Sequence, residues 1–554
     1  MILRLFILFL CFATFCFTDI SPATGNETDR LALLAMKSEI KLDPYGILQS
    51  WNASDIHFCQ WRGVTCGRLH QRITVLNLGS AKLTGSISPF VGNLSFLKRL
   101  YLQNNSFDNV IPPQITNLKR IQFLWFQNNS LVGHIPSNLS ACSSLLNFDV
   151  SKNLLDGRIP PDLGLLPRLE HLFIDYNELL GEIPSSLGNL SSLVTLFLTS
   201  NKLTGRIPST LGMLSNLVNF ALAENMLSGT IPSDIFNLSN MAAFDVQFNQ
   251  FQGILPSHLG NTFTKLNFLG FGHNQFTGSI PISLSNASEL TAIFASANSL
   301  TGDIPRFGNS RKLSELVLPA NQLGHGGKFN DLGFFSSLIN CTDLRIMSLG
   351  LNNLGGKWPL SFLNLSTTLS RFILYNNHIT GSIPSGIEKF VNLLEFDIST
   401  NSFFGTIPPE IGELQNLLGL YLDHNDLSGN IPLTLGNLSR LITVTLDDNH
   451  LHGNIPSSLG NCQYVQQISL SQNNLSGPVP LQIFGLSSLS LVLDLSLNHL
   501  TGSLPTEVGT TGYTPPEYGL GTVKIGVACS SDSPKDRMST SDVLRQLQIL
   551  RDSL

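Results

Sequence analysis

From Ile73 onward the chain repeats one order of apolar and polar positions. The stretch from Leu169 to Leu190 shows it: Leu172 and Ile174 flank an outward Phe173, Asn177 follows, and Leu179, Gly181, Ile183-Pro184, Leu187 and Leu190 complete the unit. Alternation at Leu172 and Ile174 predicts a short strand with two side chains in and its neighbours out. Asn177 then turns the chain, and its amide offers donors and an acceptor to backbone groups that no strand ladder satisfies. The later apolar positions carry the chain back across the same core, through short helical or irregular segments.

The asparagine recurs at Asn105, Asn129, Asn153, Asn177, Asn201, Asn225 and Asn249. It continues at Asn274, Asn298, Asn321, Asn352, Asn377, Asn401, Asn425, Asn449, Asn473 and Asn498, with Ala81 in the first unit. That makes 18 units spaced by about 24.5 residues, inside the range of leucine-rich repeats. One such unit cannot bury its apolar face alone, so stability comes from stacking neighbours. The expected fold is an α/β repeat, a leucine-rich-repeat solenoid over residues 73–508 with a concave parallel β-sheet and a ladder of asparagines.

A solenoid exposes two raw edges. Residues 26–72 read as the N-terminal cap: a helix over Thr28 to Ile40 with Leu31, Leu34 and Ala35 on one face, then a segment from Trp51 to Cys66 covering the first repeat. No C-terminal cap and no second cysteine pair is legible after the last repeat.

Composition narrows the setting. Hydrophobic residues make up 42% of the chain, which excludes disorder over most of its length, and a net charge of −6 argues against a nucleic-acid binder with a broad basic surface. Arg4 precedes an apolar run from Leu5 to Phe17, too short for the roughly 20 residues that span a bilayer, and small residues follow. Residues 1–25 therefore read as a secretory signal peptide. Cys59 and Cys66, seven residues apart, suit a local disulfide in that oxidising compartment; a zinc pair is the competing assignment, without a second pair at metal-ligand spacing. Cys142, Cys341 and Cys462 occupy similar repeat positions and read as buried. Sequons at Asn26, Asn52, Asn93, Asn104, Asn128, Asn138, Asn189, Asn237, Asn286, Asn340, Asn364, Asn437 and Asn474 mark glycosylation sites in a secreted chain.

The position four residues before each ladder asparagine lies mid-strand and faces outward. It holds Tyr101, Trp125, Asp149, Phe173 and Phe197 in successive units, flanked by Phe123, His171, Asp175 and Tyr176. Outward aromatics with acidic neighbours are anchors for a peptide or protein ligand. A second candidate is the strip of Glu395, Asp397, Tyr421, Asp423, His424, Asp447 and Asp448, where Tyr421 and Asp423 lead a surface suited to a basic segment. No nucleophile motif accompanies these groups, so neither catalysis, a metal nor a cofactor is implied.

Asp29-Arg30-Leu31-Ala32-Leu33-Leu34, Trp51-Asn52, Cys59-Gln60-Trp61-Arg62-Gly63-Val64-Thr65-Cys66 and the recurring Leu-x-Gly-x-Ile-Pro together resemble the ectodomains of plant leucine-rich-repeat receptor-like serine/threonine kinases. The longer unit from Asn321 to Asn352 resembles the insertion in the subfamily of the EF-Tu receptor and the rice bacterial-blight resistance receptor. After Val508, Tyr513-Thr514-Pro515-Pro516-Glu517 and Ser533-Pro534-Lys535-Asp536-Arg537-Met538 are similar to fragments of that family's kinase domain, so residues 509–554 read as a kinase-derived remnant tail. The Gly-rich loop, Val-Ala-Ile-Lys, His-Arg-Asp and Asp-Phe-Gly motifs of phosphoryl transfer are missing, and with them any ATP site. The resemblance implies an extracellular or apoplastic ligand-recognition protein of plant defence signalling, with the plasma membrane as the parent family's location. Its partners would be a peptide or protein ligand and a co-receptor kinase ectodomain. Two alternatives are a truncated version of a membrane receptor kinase and a secreted inhibitor of a wall-degrading enzyme.

Overall fold

The computed structural model describes residues 25–52, 54 and 57–502. The expected signal peptide, the kinase-like tail and the question of a C-terminal cap fall outside the described residues. The chain divides into two compact units, Met1–Leu238 and Ser239–Leu554.

In the first unit, Ile73–Asn77, Arg99–Tyr101, Phe123–Trp125, Asn147–Asp149, His171–Phe173, Thr195–Phe197 and Asn219–Ala221 form one parallel ladder in register, with Val64–Cys66 antiparallel on its first edge. The alternation expected at Leu172 and Ile174 holds: both are fully buried, while Phe173 between them is half-buried on the open face. Asn177 accepts from the Leu155 N–H at 3.0 Å and donates to the Val150 carbonyl at 3.0 Å, so one amide ties two successive turns together. Asn153 and Asn201 do the same in their turns. Across the back, five-residue 3₁₀ turns such as Ser185–Asn189 stack so closely that a Cβ on Gly188 would sit 2.4 Å from the Thr210 carbonyl oxygen.

Two features are not legible in the pattern. Behind the main sheet runs a second layer of short strands, among them Leu180–Glu182, Lys202–Gly205 and Met226–Gly229. The glycine of each Leu-x-Gly element serves this layer: Gly205 has φ +80°, and a Cβ there would approach the Glu182 side chain to 2.8 Å. The residue before each ladder asparagine is left-handed whatever its side chain, as at Lys152 (φ 53°), Tyr176 (φ 53°) and Ser200 (φ 53°).

The N-terminal helix spans Gly25–Ser38, three residues earlier than expected at its start. Its buried face is Asp29, Ala32, Leu33 and Met36, and Leu31 is 50% exposed, which corrects the expected face. The cause is Asp29. Its buried carboxylate takes two hydrogen bonds from Arg72, at 2.9 and 2.8 Å, and one from the Ile73 N–H at 2.9 Å, so the acid turns inward and sets the helix rotation. Trp51 stacks on Trp61 beside it, and Cys59 and Cys66 form the expected disulfide, their Cα atoms 5.5 Å apart.

In the second unit, strands from Ala243–Asp245 to Val492–Asp494 build a parallel ladder of the same kind. The long turn between Asn321 and Asn352 leaves the main sheet intact, since Glu315–Val317 still pairs with Ile346–Ser348. It interrupts the second layer, which stops at Gln322–Leu323 and resumes at Gly355–Lys357. Asp331 fills the gap, accepting from the backbone N–H groups of His325 and Gly355 at 3.0 and 2.8 Å.

Candidate functional site

Strand register decides which outward side chains meet. In the first unit Tyr101 pairs with Trp125, Trp125 with Asp149, Asp149 with Phe173 and Phe173 with Phe197. The neighbouring column runs Phe123, Asn147, His171, Thr195. Eight expected ligand-binding residues, Tyr101, Phe123, Trp125, His171, Phe173, Asp175, Tyr176 and Phe197, thus share one open face. Tyr176 is 46% exposed and the others are half-buried.

The rings pack into two groups on either side of Asp149. Trp125 lies 4.6 Å from Tyr101 and 6.3 Å from Phe123, centroid to centroid. Phe173 lies 6.0 Å from His171 and 5.3 Å from Phe197. Ring packing and partial exposure therefore coexist, which leaves these rings little rotamer entropy to lose. Cations lie on the same face: the Arg99 guanidinium sits 5.3 Å from the Phe123 centroid and the Lys152 ammonium 5.6 Å from that of Tyr176.

Burial dominates the electrostatics here. It pushes the Asp149 carboxyl above its ordinary range, against hydrogen bonds from the Ser151 N–H and hydroxyl. Burial also raises Asp175 to about 6, with the Asp149 charge adding to it and Lys152 opposing. Among the described residues, seven buried side-chain nitrogen or oxygen atoms have no hydrogen-bond partner. Four lie on this face: Gln103 Oε1, Gln127 Oε1, His171 Nδ1 and Asp175 Oδ1. Gln103, Gln127, Asn147 and Lys152 lie outside the residues that the sequence pattern singled out. A signal was available, because Gln103, Gln127 and Asp175 each stand two residues before a ladder asparagine.

The second expected site lies in the second unit and is assembled separately. Asp397 pairs with Tyr421, and Tyr421 with Thr445. His424 Nδ1 lies 3.1 Å from Asp423 and 3.8 Å from Asp447, Asp448 lies 3.8 Å from His424 Nε2, and Glu395 is 3.5 Å from Arg371. The expected acidic strip thus has a histidine and an arginine of its own set among its carboxylates. Burial raises Asp397 to about 6, with Asp423 and Glu395 adding to it.

All thirteen sequon asparagines are exposed. Asn104 and Asn128 differ from Asn189, Asn237 and Asn437, which end 3₁₀ turns on the back: they stand at the edge of the aromatic face, linked by a 3.1 Å hydrogen bond. Cys142, Cys341 and Cys462 are free and buried, and burial pushes each thiol up to about 11.

The fold is a leucine-rich-repeat solenoid whose open parallel sheet carries a row of half-buried rings. Residues 26–67 match the leucine rich repeat N-terminal domain, and residues 96–118, 168–190 and 192–214 match the Leucine Rich Repeat family. A plant peptide hormone receptor, RGFR1, solved in complex with RGF2, is 33% identical, with a TM-score of 0.71 over 79% of this chain and 69% of that one. The Arabidopsis receptor kinase HAESA, solved with the peptide hormone IDA and the co-receptor SERK1, is 30% identical, with a TM-score of 0.70 over 88% of each chain. The chain belongs to the family of plant leucine-rich-repeat receptors. It is also similar to the LRR receptor-like serine/threonine-protein kinase EFR of Arabidopsis thaliana, 54% identical over 89 residues, which are 16% of this chain and 8% of that protein's length. Among the described residues no helix is long and apolar enough to cross a membrane.

Proposed function

We propose that this chain is an extracellular receptor-type protein that binds a peptide or protein ligand on the open face of residues 99–197. The observation that carries this is the row Tyr101, Trp125, Asp149, Phe173, Phe197: half-buried rings held in fixed register beside four unpartnered polar atoms. Half-buried rings in fixed register offer apolar area that a bound chain covers, with acidic neighbours to orient it. The solved relatives that bind peptide hormones and a co-receptor support the ligand class and a co-receptor ectodomain as second partner.

The proposal assigns no catalysis and no ATP binding to this chain. A kinase function, and a place at the plasma membrane, would belong to a longer receptor of the same family. The decisive experiment is random-peptide display on the secreted chain, followed by affinity measurement on Trp125→Ala and Phe173→Ala. Loss of binding in correctly folded variants is expected; unchanged binding rejects the site.

A further inference from the structure

We propose that the gap over Asp149, between the Tyr101–Trp125 and Phe173–Phe197 ring pairs, receives a basic side chain of the ligand, arginine in preference to lysine. The inference rests on the ligand site proposed above and adds the chemistry of one ligand residue.

Trp125, Asp149 and Phe173 occupy the same position on three neighbouring strands. At the usual strand spacing the backbones of Trp125 and Phe173 stand about 9–10 Å apart, with the carboxylate between them. A flat group sandwiched by two rings needs roughly 7–8 Å, twice an ordinary contact distance. On their outer sides Trp125 packs on Tyr101 and Phe173 on Phe197, while the Trp125 Nε1 donates to Asn147 Oδ1 at 2.8 Å on the Asp149 strand and so fixes the edge of the indole. The result is a slot with aromatic walls and a carboxylate floor.

Such a slot selects by charge. Ring faces attract cations, and a guanidinium stacks on them better than an ammonium does. Asp149 and Asp175 are close enough for the charge on one to raise the pKa of the other, and Lys152 is the ammonium that acts on Asp175 in opposition. That ammonium is itself engaged with the Tyr176 ring. The Asp149 carboxylate accepts from the Ser151 N–H and hydroxyl and takes part in no ion pair among the described residues.

A guanidinium also brings five N–H donors and binds carboxylates in paired hydrogen bonds, whereas an acidic side chain would meet the Asp149 charge with repulsion and an aliphatic one would offer it no donor.

The test uses the peptides selected by random display on the full secreted chain. The selected sequences are expected to share one Arg or Lys position, whose replacement by Ala weakens binding at least about tenfold. The Asp149→Asn and Asp175→Asn variants should lose the same factor for the basic peptide and nothing more for the Ala peptide. In Asp149→Asn the amide oxygen still accepts from the Ser151 N–H and hydroxyl, so the local turn is kept while the charge is removed. Should these variants fail to fold, the peptide replacement series decides alone. Peptides without a basic position, or equal affinity for the Asp→Asn variants, overturn the inference while loss of binding in Trp125→Ala keeps the site. Peptides indifferent to both Trp125→Ala and Phe173→Ala overturn the site and this inference together.

Discussion

The indole Nε1 of Trp125 donates a 2.8 Å hydrogen bond to Oδ1 of Asn147, one strand away on the same face. An aromatic side chain on an open sheet would otherwise sample several rotamers. Here the bond and the Tyr101 ring fix it, so the proposed anchor is already ordered in the free chain. Trp125→Phe removes the bond and keeps most of the ring, and should weaken a selected peptide less than Trp125→Ala does. Isothermal titration of both variants against one peptide checks the order.

Core and ladder make separate contributions to stability. Leu172→Ala, at a fully buried position, should cost about 2–5 kcal/mol, because the stacked turns above and below cannot collapse into the void. Asn177→Ala strips partners from the Leu155 N–H and the Val150 carbonyl and should cost about 1–3 kcal/mol. Urea unfolding monitored by circular dichroism measures both.

Cap attachment depends on one acid. Asp29→Ala leaves Arg72 and the Ile73 N–H without their buried acceptor and should destabilise by about 3–5 kcal/mol. Proteolysis should then cut first in the N-terminal helix. A variant as resistant as the parent chain contradicts the role of Asp29.

Asp397 makes stability depend on pH in a definite direction. Its carboxyl ionises near 4 in an unfolded chain and only at about 6 here, chiefly because it is buried and secondarily because Asp423 and Glu395 lie near. Its favourable contribution is therefore complete below about 4 and lost as the pH rises through about 6. Asp397→Asn keeps an acceptor for Ser399 and should stabilise the chain by about 1–2 kcal/mol at pH 8, allowing for partial solvation, with little effect at pH 3.5. Melting temperatures at the two pH values give the comparison.

Free thiols should be silent in the folded protein. Cys142, Cys341 and Cys462 are buried with pKa values pushed up to about 11, so iodoacetamide at pH 8 should label them only after denaturation. Labelling of the native chain would contradict their placement.

The repeat was legible in the sequence because one short pattern recurs at a nearly constant spacing. A strand of three residues, an Asn two residues after Asp175 and a Gly-x-Ile-Pro return come back in each unit, so period alone placed equivalent residues side by side and picked out the aromatic row. What escaped was non-local. Arg72 comes 43 residues after Asp29, and nothing in either segment announces the pair that rotates the helix and exposes Leu31. The unpartnered oxygens of Gln103 and Gln127 are likewise a property of stacked neighbours, since any isolated glutamine on a strand would be solvated. Ring packing within the row, and the approach of His424 to Asp447 and of Arg371 to Glu395, also arise only when units are placed side by side.

The central claim is that the face from Tyr101 to Phe197 is where a ligand binds, and a crystal structure of the chain with a display-selected peptide tests it most directly. The account predicts peptide atoms within about 4 Å of both Trp125 and Phe173. A peptide seated on the back of the solenoid, or only on the strip around Tyr421 and Asp423, would contradict it.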